Sequence, residues 1–302
     1  MLLPSLIAIA VFVYGFIAYT GYVSMSNYTS ARIDLSFVGL DNYVRLFSER
    51  RFQENIRNLV VFTSFFLVIC LVFGLLLALM VDSGVRGEAV FRSIYLFPMA
   101  VSFIVTGVAW RWLFTPGDLE PTGLNLLFDS IGLGFLKARW IADSSIWPNI
   151  EVEWLKVRLI VPLAIIPVVL AAVWQMSGFC MALYLAGLRS IPEELREAAR
   201  VDGCSESQVL RYITLPLLRP VTLSAIIVLT HISLKTFDLI LTMTGGGPGN
   251  KTEVPSLYMY ELRFSQFNTA YAAAVATILL ILVSLLTIPY LLYNRRAQSV
   301  EQ

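Results

Sequence analysis

Six stretches of this chain are apolar for long enough to cross a bilayer as helices: about residues 1–24, 58–81, 93–114, 159–188, 217–243 and 269–293. A helix rises about 1.5 Å per residue, so roughly 20 apolar residues match the hydrocarbon layer. Inside that layer every peptide N–H and C=O must find a partner within the protein, and a helix provides one along its own length. The chain therefore reads as all-α, a polytopic membrane protein with six transmembrane helices in one domain. Its composition agrees: 57% of its 302 residues are hydrophobic and 14% charged. The two-residue alternation of a membrane β-barrel is missing. The first stretch carries no basic leader and is longer than a signal peptide's apolar core requires, so it reads as a retained helix. Six spans put both termini on one side, together with the segment 189–216. The short turns on that side carry arginines at higher density, Arg295 and Arg296 of the tail among them. That density supports this side as the cytoplasmic one, in the cell or inner membrane, and the orientation leans as much on the charged segment 189–216 taken up below.

Several function classes drop out. A net charge of +1 offers no electrostatic case for nucleic acid. A single histidine and the scattered Cys70, Cys180 and Cys204 supply neither a metal centre nor a disulfide framework. Gly245 to Thr252, GGGPGNKT, has the look of a phosphate-binding loop. Asn250 stands where the second glycine is needed, however, Pro248 lacks a backbone donor, and no strand precedes the run. No other segment offers such a loop. The chain is therefore expected to have no catalytic residue, no cofactor and no ATPase activity of its own.

The segment Ser190 to Pro220, SIPEELREAARVDGCSESQVLRYITLPLLRP, is a charged island between apolar runs. It reads as two short helices joined by a turn. Ser190 with Glu193, and Ser205 with Gln208, have the spacing of capping boxes, and Pro192 suits a first turn. Asp202-Gly203 is a turn signal, since glycine tolerates a positive φ. Leu195, Ala198 and Ala199 share one face, small enough for another surface to come close, among the charges of Glu193, Glu194, Arg196, Glu197 and Arg200.

Glu197-Ala198-Ala199, three residues, Gly203, nine residues and then Ile213-x-Leu215-Pro216 together resemble the EAA loop of bacterial ABC-importer permeases. In that family the loop is the coupling helix that docks onto the ATP-binding subunit. The resemblance assigns Glu194, Glu197, Ala198, Ala199, Asp202, Gly203, Ile213, Leu215 and Pro216 to that joint, with Cys204 in the place of a frequent alanine. FVGLDNYVRLF (Phe37 to Phe47), the LAGLRSIPEELREAARVDG run and FDLILTMTGGGPG extend the likeness to sugar-type permeases. HISLKTFDLI with TEVPSLYMY leans toward those for glucose or mannose. The resemblance implies half of a translocation pathway, built with a second permease subunit as a heterodimer. It further implies two ATP-binding subunits that bind the ATP, and an extracytoplasmic sugar-binding protein.

Two polar stripes are candidates for the pathway. In the fifth span, Ser224, His231, Lys235, Asp238 and Thr242 fall on one face of a continuous helix. Lys235 and Asp238 either pair with each other near the outer interface, line a sugar pathway with His231, or couple an ion. The last reading makes the chain an ion-gradient-driven secondary transporter. In the fourth span, Trp174, Ser177, Gly178 and Met181 cluster beside Gln175. An indole face suits the C–H surface of a sugar and Gln175 and Ser177 its hydroxyls, whereas ordinary small-residue packing explains Gly178 and Met181. Pro162 and Pro167 are expected to bend this span. Trp110, Arg111 and Trp112 read as an interfacial anchor.

Overall fold

The apolar stretches fold into helices whose lengths follow the bilayer, but two of them are broken. The computed structural model describes residues 3–29, 32–117, 121–147, 151–152, 157–158 and 161–300. Leu3–Ser24 (α1), Arg50–Asp82 (α3), Ile165–Arg189 (α7) and the apolar part of Thr269–Val300 (α13) are each long and apolar enough to span. Asp41–Ser48 (α2) is a short surface helix between the first two. The third stretch divides into Glu88–Ala100 (α4) and Phe103–Phe114 (α5), bent by 98°, and Gly123–Ser130 (α6) follows. After α7 come Glu193–Val201 (α8), Glu206–Leu217 (α9) and Arg219–Leu234 (α10), with a 61° bend between the last two. Asp238–Met243 (α11) and Pro255–Phe264 (α12) precede α13. Counting each bent pair once gives six spans.

The breaks have local causes. Pro98 withholds a donor from the end of α4, and the Ser102 side chain then accepts from Val105 N at 3.3 Å, starting α5 as a fresh N-cap. Pro220 has no N–H to return to the turn before it, where Leu218 marks the second bend. The fifth span is also not continuous to Met243: Lys235, Thr236 and Phe237 are non-helical and divide α10 from α11. The single face expected for Ser224, His231, Lys235, Asp238 and Thr242 therefore does not exist past Leu234.

The fourth span starts later than expected, at Ile165, and Leu159 and Ile160 lie outside the described residues. Ile146–Trp147 (β1) pairs antiparallel with Val161–Pro162 (β4), and Glu151–Val152 (β2) with Val157–Arg158 (β3). Pro162 is thus a strand residue. Pro167 sits in the first turn of α7, where its missing N–H would have had no partner anyway, so neither proline bends the helix.

The chain forms two compact units, one of residues 1–60, 143–164 and 234–302, the other of 61–142 and 165–233. In the first, α13 packs against α1 and α12. Leu46, Phe52, Tyr258, Leu262, Ala274 and Val275 form its apolar core. Beside that core lies a polar network. The Arg51 guanidinium donates to both Glu253 oxygens at 2.9 and 2.6 Å, also binds Glu261, and lies over the Tyr258 ring at 4.9 Å. Asn58 Nδ2 donates to the carbonyls of Asn250 and Glu253 at 3.0 and 2.8 Å, which pins the glycine-proline loop to the start of α3. Glu253 is wholly buried. Burial pushes its carboxyl above the ordinary range, more than Arg51 draws it down.

In the second unit α7 is the central element: 72% of its apolar window is buried, against 33% for α3. It packs along α4. A Cβ at Gly178 would collide with the Tyr95 carbonyl of α4, so glycine there permits helix contact at backbone distance. Met181, Tyr184, Leu185 and Leu188 of α7 meet Leu77, Ala78 and Val81 of α3.

The Arg51–Glu253 pair generates a test of the first unit. Glu253→Ala takes away the bidentate, buried partner and leaves a guanidinium that is 26% exposed with Glu261 alone, at a cost of about 2 kcal/mol. Glu261→Ala removes only the more exposed partner. In thermal melts of the detergent-purified protein, Glu253→Ala should lower the midpoint by several degrees and Glu261→Ala should leave it nearly unchanged.

Candidate functional site

The charged island folds into an elbow of two helices on the second unit. Its turn ends α8 in a Schellman arrangement: Gly203 N–H donates to Arg200 O at 3.1 Å and Cys204 N–H to Ala199 O at 3.0 Å. Gly203 has φ +85° with open space around its Cβ position, so backbone conformation alone demands the glycine. Gln208 Oε1 accepts from Ser205 N–H at 2.7 Å, which starts α9 as the capping-box spacing expects. Ser190 does otherwise. Pro192 occupies the N-cap position of α8 in an extended conformation, and Ser190 Oγ turns back to donate to Gly187 O at 2.7 Å. It closes the end of α7 instead of opening α8.

The elbow presents an outward face. Ala199 and Val209 are buried beneath it, whereas Glu194, Leu195, Glu197, Ala198, Val201 and Asp202 are exposed. Val201 is 87% exposed and Leu195 46%. Apolar side chains offered to solvent between carboxylates have the composition of a surface made for a partner. Ile213 and Pro216 are half-buried along α9, Leu215 exposed. Arg200 donates across the turn to Glu206 at 2.8 Å and to Glu193 at 3.0 Å, and these carboxylates hold its pKa above the ordinary value. The pair fixes the angle between α8 and α9 more than it stabilises them, since both partners are exposed.

Further along α7 lies the second group of candidates. Trp174 is 40% exposed and its ring centroid lies 5.9 Å from that of Trp110 on α5. Trp110 in turn contacts Phe114 at 5.4 Å, and Phe114 contacts Trp140 at 5.4 Å. Trp110 is therefore part of an aromatic row facing Trp174, whereas Arg111 and Trp112 are exposed, Trp112 by 73%. Sequence spacing gave no sign of this, because the bend at Val101 is what turns α5 toward α7. Gln175 is buried, and its Nε2 donates to Val101 O at 2.6 Å. Val101 is the residue at the break, so Gln175 supplies the donor that the bent span has lost. Its Oε1 and the hydroxyl of Thr106 are enclosed without partners among the described residues. Ser177 and Met181 are buried in helix packing.

His231 is exposed on α10 in the same unit. Lys235 and Asp238 belong to the other unit. Both are exposed, and no ion pair between them is formed among the described residues. Of the alternatives open for them, mutual pairing is not seen: the break at 235–237 removes the helical turn that would have brought them together.

Bent apolar helices packed on a buried central one, with a charged two-helix elbow following it, define a polytopic α-helical membrane protein. Residues 70–299 match the family described as binding-protein-dependent transport system inner membrane component, and the chain belongs to that family. It is 39% identical to a probable ABC transporter permease protein of Pyrococcus horikoshii over 99% of this chain and 95% of the relative. It is 35% identical to a xylose/arabinose import permease of Haloferax volcanii, covering 95% and 84%. With a trehalose/maltose transport system permease of Thermococcus litoralis the identity is 33%, covering 98% and 92%. The fold matches a chain of a bacterial alginate ABC transporter crystallised with a pentasaccharide-bound periplasmic protein. That match has a TM-score of 0.75 at 22% identity, covering 95% of this chain and 90% of that one.

The role of Gln175 at the break is open to test. Gln175→Met keeps its volume and leaves the half-buried Val101 O without this donor, at a cost of about 1–3 kcal/mol. The thermal midpoint of the purified protein should fall accordingly. A residue held only for ligand contact would leave it unmoved.

Proposed function

We propose that the chain is the membrane-spanning subunit of an ATP-driven sugar importer. It forms half of the translocation pathway and takes its drive from ATP-binding subunits docked on the elbow. The observation that carries this reading is the outward face of α8, with Glu194, Glu197 and Ala198 around the Gly203 turn, at the positions where the resemblance expects the coupling joint. A second permease subunit completes the pathway, two ATP-binding subunits sit beneath the pair, and an extracytoplasmic sugar-binding protein delivers the substrate. Both termini and the elbow face the cytoplasm. The named sugar relatives support a carbohydrate substrate, and the HISLKTFDLI and TEVPSLYMY segments favour a monosaccharide such as glucose or mannose.

In this reading ATP binding closes the partner subunits and draws the elbows together, and rigid-body rotation of the packed helices opens the outer side. Trp174, backed by Trp110, offers an aromatic surface for the C–H face of a sugar. Gln175, Ser177, His231, Lys235 and Asp238 are the polar candidates along the pathway. A neutral sugar needs hydrogen bonds and an apolar face, and no group that changes its charge.

Reconstitution in proteoliposomes with the partner subunits tests the drive. Glu197→Lys reverses a charge on the docking face, and should abolish binding-protein-stimulated ATPase activity and uptake while leaving the folded subunit intact by thermal melt. Normal stimulation in that variant would remove α8 from the joint. The pathway has its own test. Trp174→Ala should lower uptake while ATPase activity continues. Asp238→Asn should cost uptake modestly, whereas near-abolition together with collapse by an ionophore would mark Lys235 and Asp238 as an ion-coupling site.

A further inference from the structure

Arg196 points away from the exposed face of α8, and its guanidinium reaches the ends of two other helices. Nη1 lies 3.3 Å from Asp82 Oδ2 and Nη2 donates to Leu188 O at 3.0 Å. Asp82 is the last residue of α3, and Leu188 O is one of the final carbonyls of α7. Those carbonyls have no intrahelical donor, and a helix C-terminus carries negative partial charge, to which Asp82 adds a full one. A planar cation with several donors, placed where two such ends converge, is favoured at both. The contact is shielded: the Arg196 side chain is 15% exposed and that of Asp82 19%. Glu193, 3.5 Å from Nη1, is a longer and more exposed partner. Nε is enclosed without a partner among the described residues, so the group sits there for its reach more than for full saturation.

A second link runs beside it. Arg189, the last residue of α7, donates to Glu88 at 2.7 Å, and Glu88 opens α4, whose positive end favours a carboxylate. The ends of α3, α4 and α7 are thus joined by charge where α8 begins. Of the groups that bridge to these helix ends, Arg196 is the one that lies on the elbow helix.

We propose that Arg196 is a positioning residue for transport: it fastens the elbow helix to α3 and α7, so that a displacement imposed on α8 by a partner moves the spans with it. The proposal rests on the importer reading above. It assigns force transmission to a side chain on the inner face of α8, apart from the docking face. Uncharged at this position, α8 would remain a helix, held by the buried Ala199 and by Arg200, but its movement would slip against the membrane helices.

The experiment uses the complete transporter in proteoliposomes, with the binding protein and radiolabelled glucose, xylose and maltose as probes, and reads uptake per ATP hydrolysed. Arg196→Gln should co-purify with the ATP-binding subunits in wild-type amounts and hydrolyse ATP, yet lose about fivefold or more of its uptake per ATP. Arg196→Lys, which keeps the charge but not both contacts, should fall between. The exchange Asp82→Arg with Arg196→Asp should recover part of the ratio that either single change loses. Wild-type uptake per ATP in Arg196→Gln would overturn the proposal. So would a loss of uptake matched by an equal loss of assembled complex, with no recovery in the exchange, since that pattern belongs to a purely structural contact. A wild-type complex that binds ATP-binding subunits but shows no ATP-dependent uptake of any probe would overturn the importer reading, and this proposal with it.

Discussion

A carbonyl released inside or at the edge of a bilayer has no water to turn to, and this constraint governs the second unit. An unbroken helix avoids the problem. This chain breaks two of its spans, and each feature that follows can be read as the answer to a freed backbone group. Gln175 reaches from α7 to the Val101 carbonyl where α4 gives way to α5. Ser102 caps the restart. Arg196 and Ser190 close the end of α7, at Leu188 and Gly187. The side chains that chemistry would first assign to a solute are partly committed to the backbone. That commitment fixes where their remaining atoms lie, because an amide held by one end has little freedom at the other.

The sequence made the membrane helices legible, since hydropathy reports burial in lipid without reference to neighbours. It also made the Gly203 turn and the Ser205–Gln208 start of α9 legible, because these depend on residues within one turn of chain. What it hid was set by tertiary contact. Pro162 and Pro167 looked like kinks in a long helix, but pairing of β1 with β4 ends that helix before Pro162 and leaves Pro167 in its first turn. Ser190 had a partner at capping-box distance, and lost it because the freed end of α7 was nearer. Trp110 read as an anchor on one helix until the 98° bend brought it against Trp174. The stripe on the fifth span assumed an unbroken period, which the non-helical 235–237 cancels.

The charged groups divide by what they face. Arg51, Glu253 and Asn58 look inward and hold the glycine-proline loop, which accounts for that run without a phosphate: the amides of Gly245, Gly247, Lys251 and Thr252 donate to carbonyls of the chain itself, and Asn58 donates to the Asn250 carbonyl. On the elbow, Arg196 looks inward and Glu194 and Glu197 outward, only a residue or two apart in sequence. Helical geometry makes this separation possible, since successive residues are about 100° apart around the axis. One short helix can therefore present one surface to a partner and another to the membrane domain.

That division bears on how a distant site could respond. Trp174 and Gln175 stand on the same helix as Arg189, which ends where the elbow begins, and fifteen residues of helix separate Trp174 from Arg189, about 22 Å. Over that length most of α7 is buried, and it packs against α4 through Gly178 at backbone distance, so a bend there would displace its neighbour. In the importer proposed above, a push on α8 delivered through Arg196 to the C-terminal end of α7 would reach the aromatic row as a tilt of the whole helix. Gln175 would then carry Val101 and the α4–α5 bend along with it. Transport needs a site that changes its exposure without losing its shape. A stiff helix anchored by charge at its end and by an amide at its middle meets both requirements.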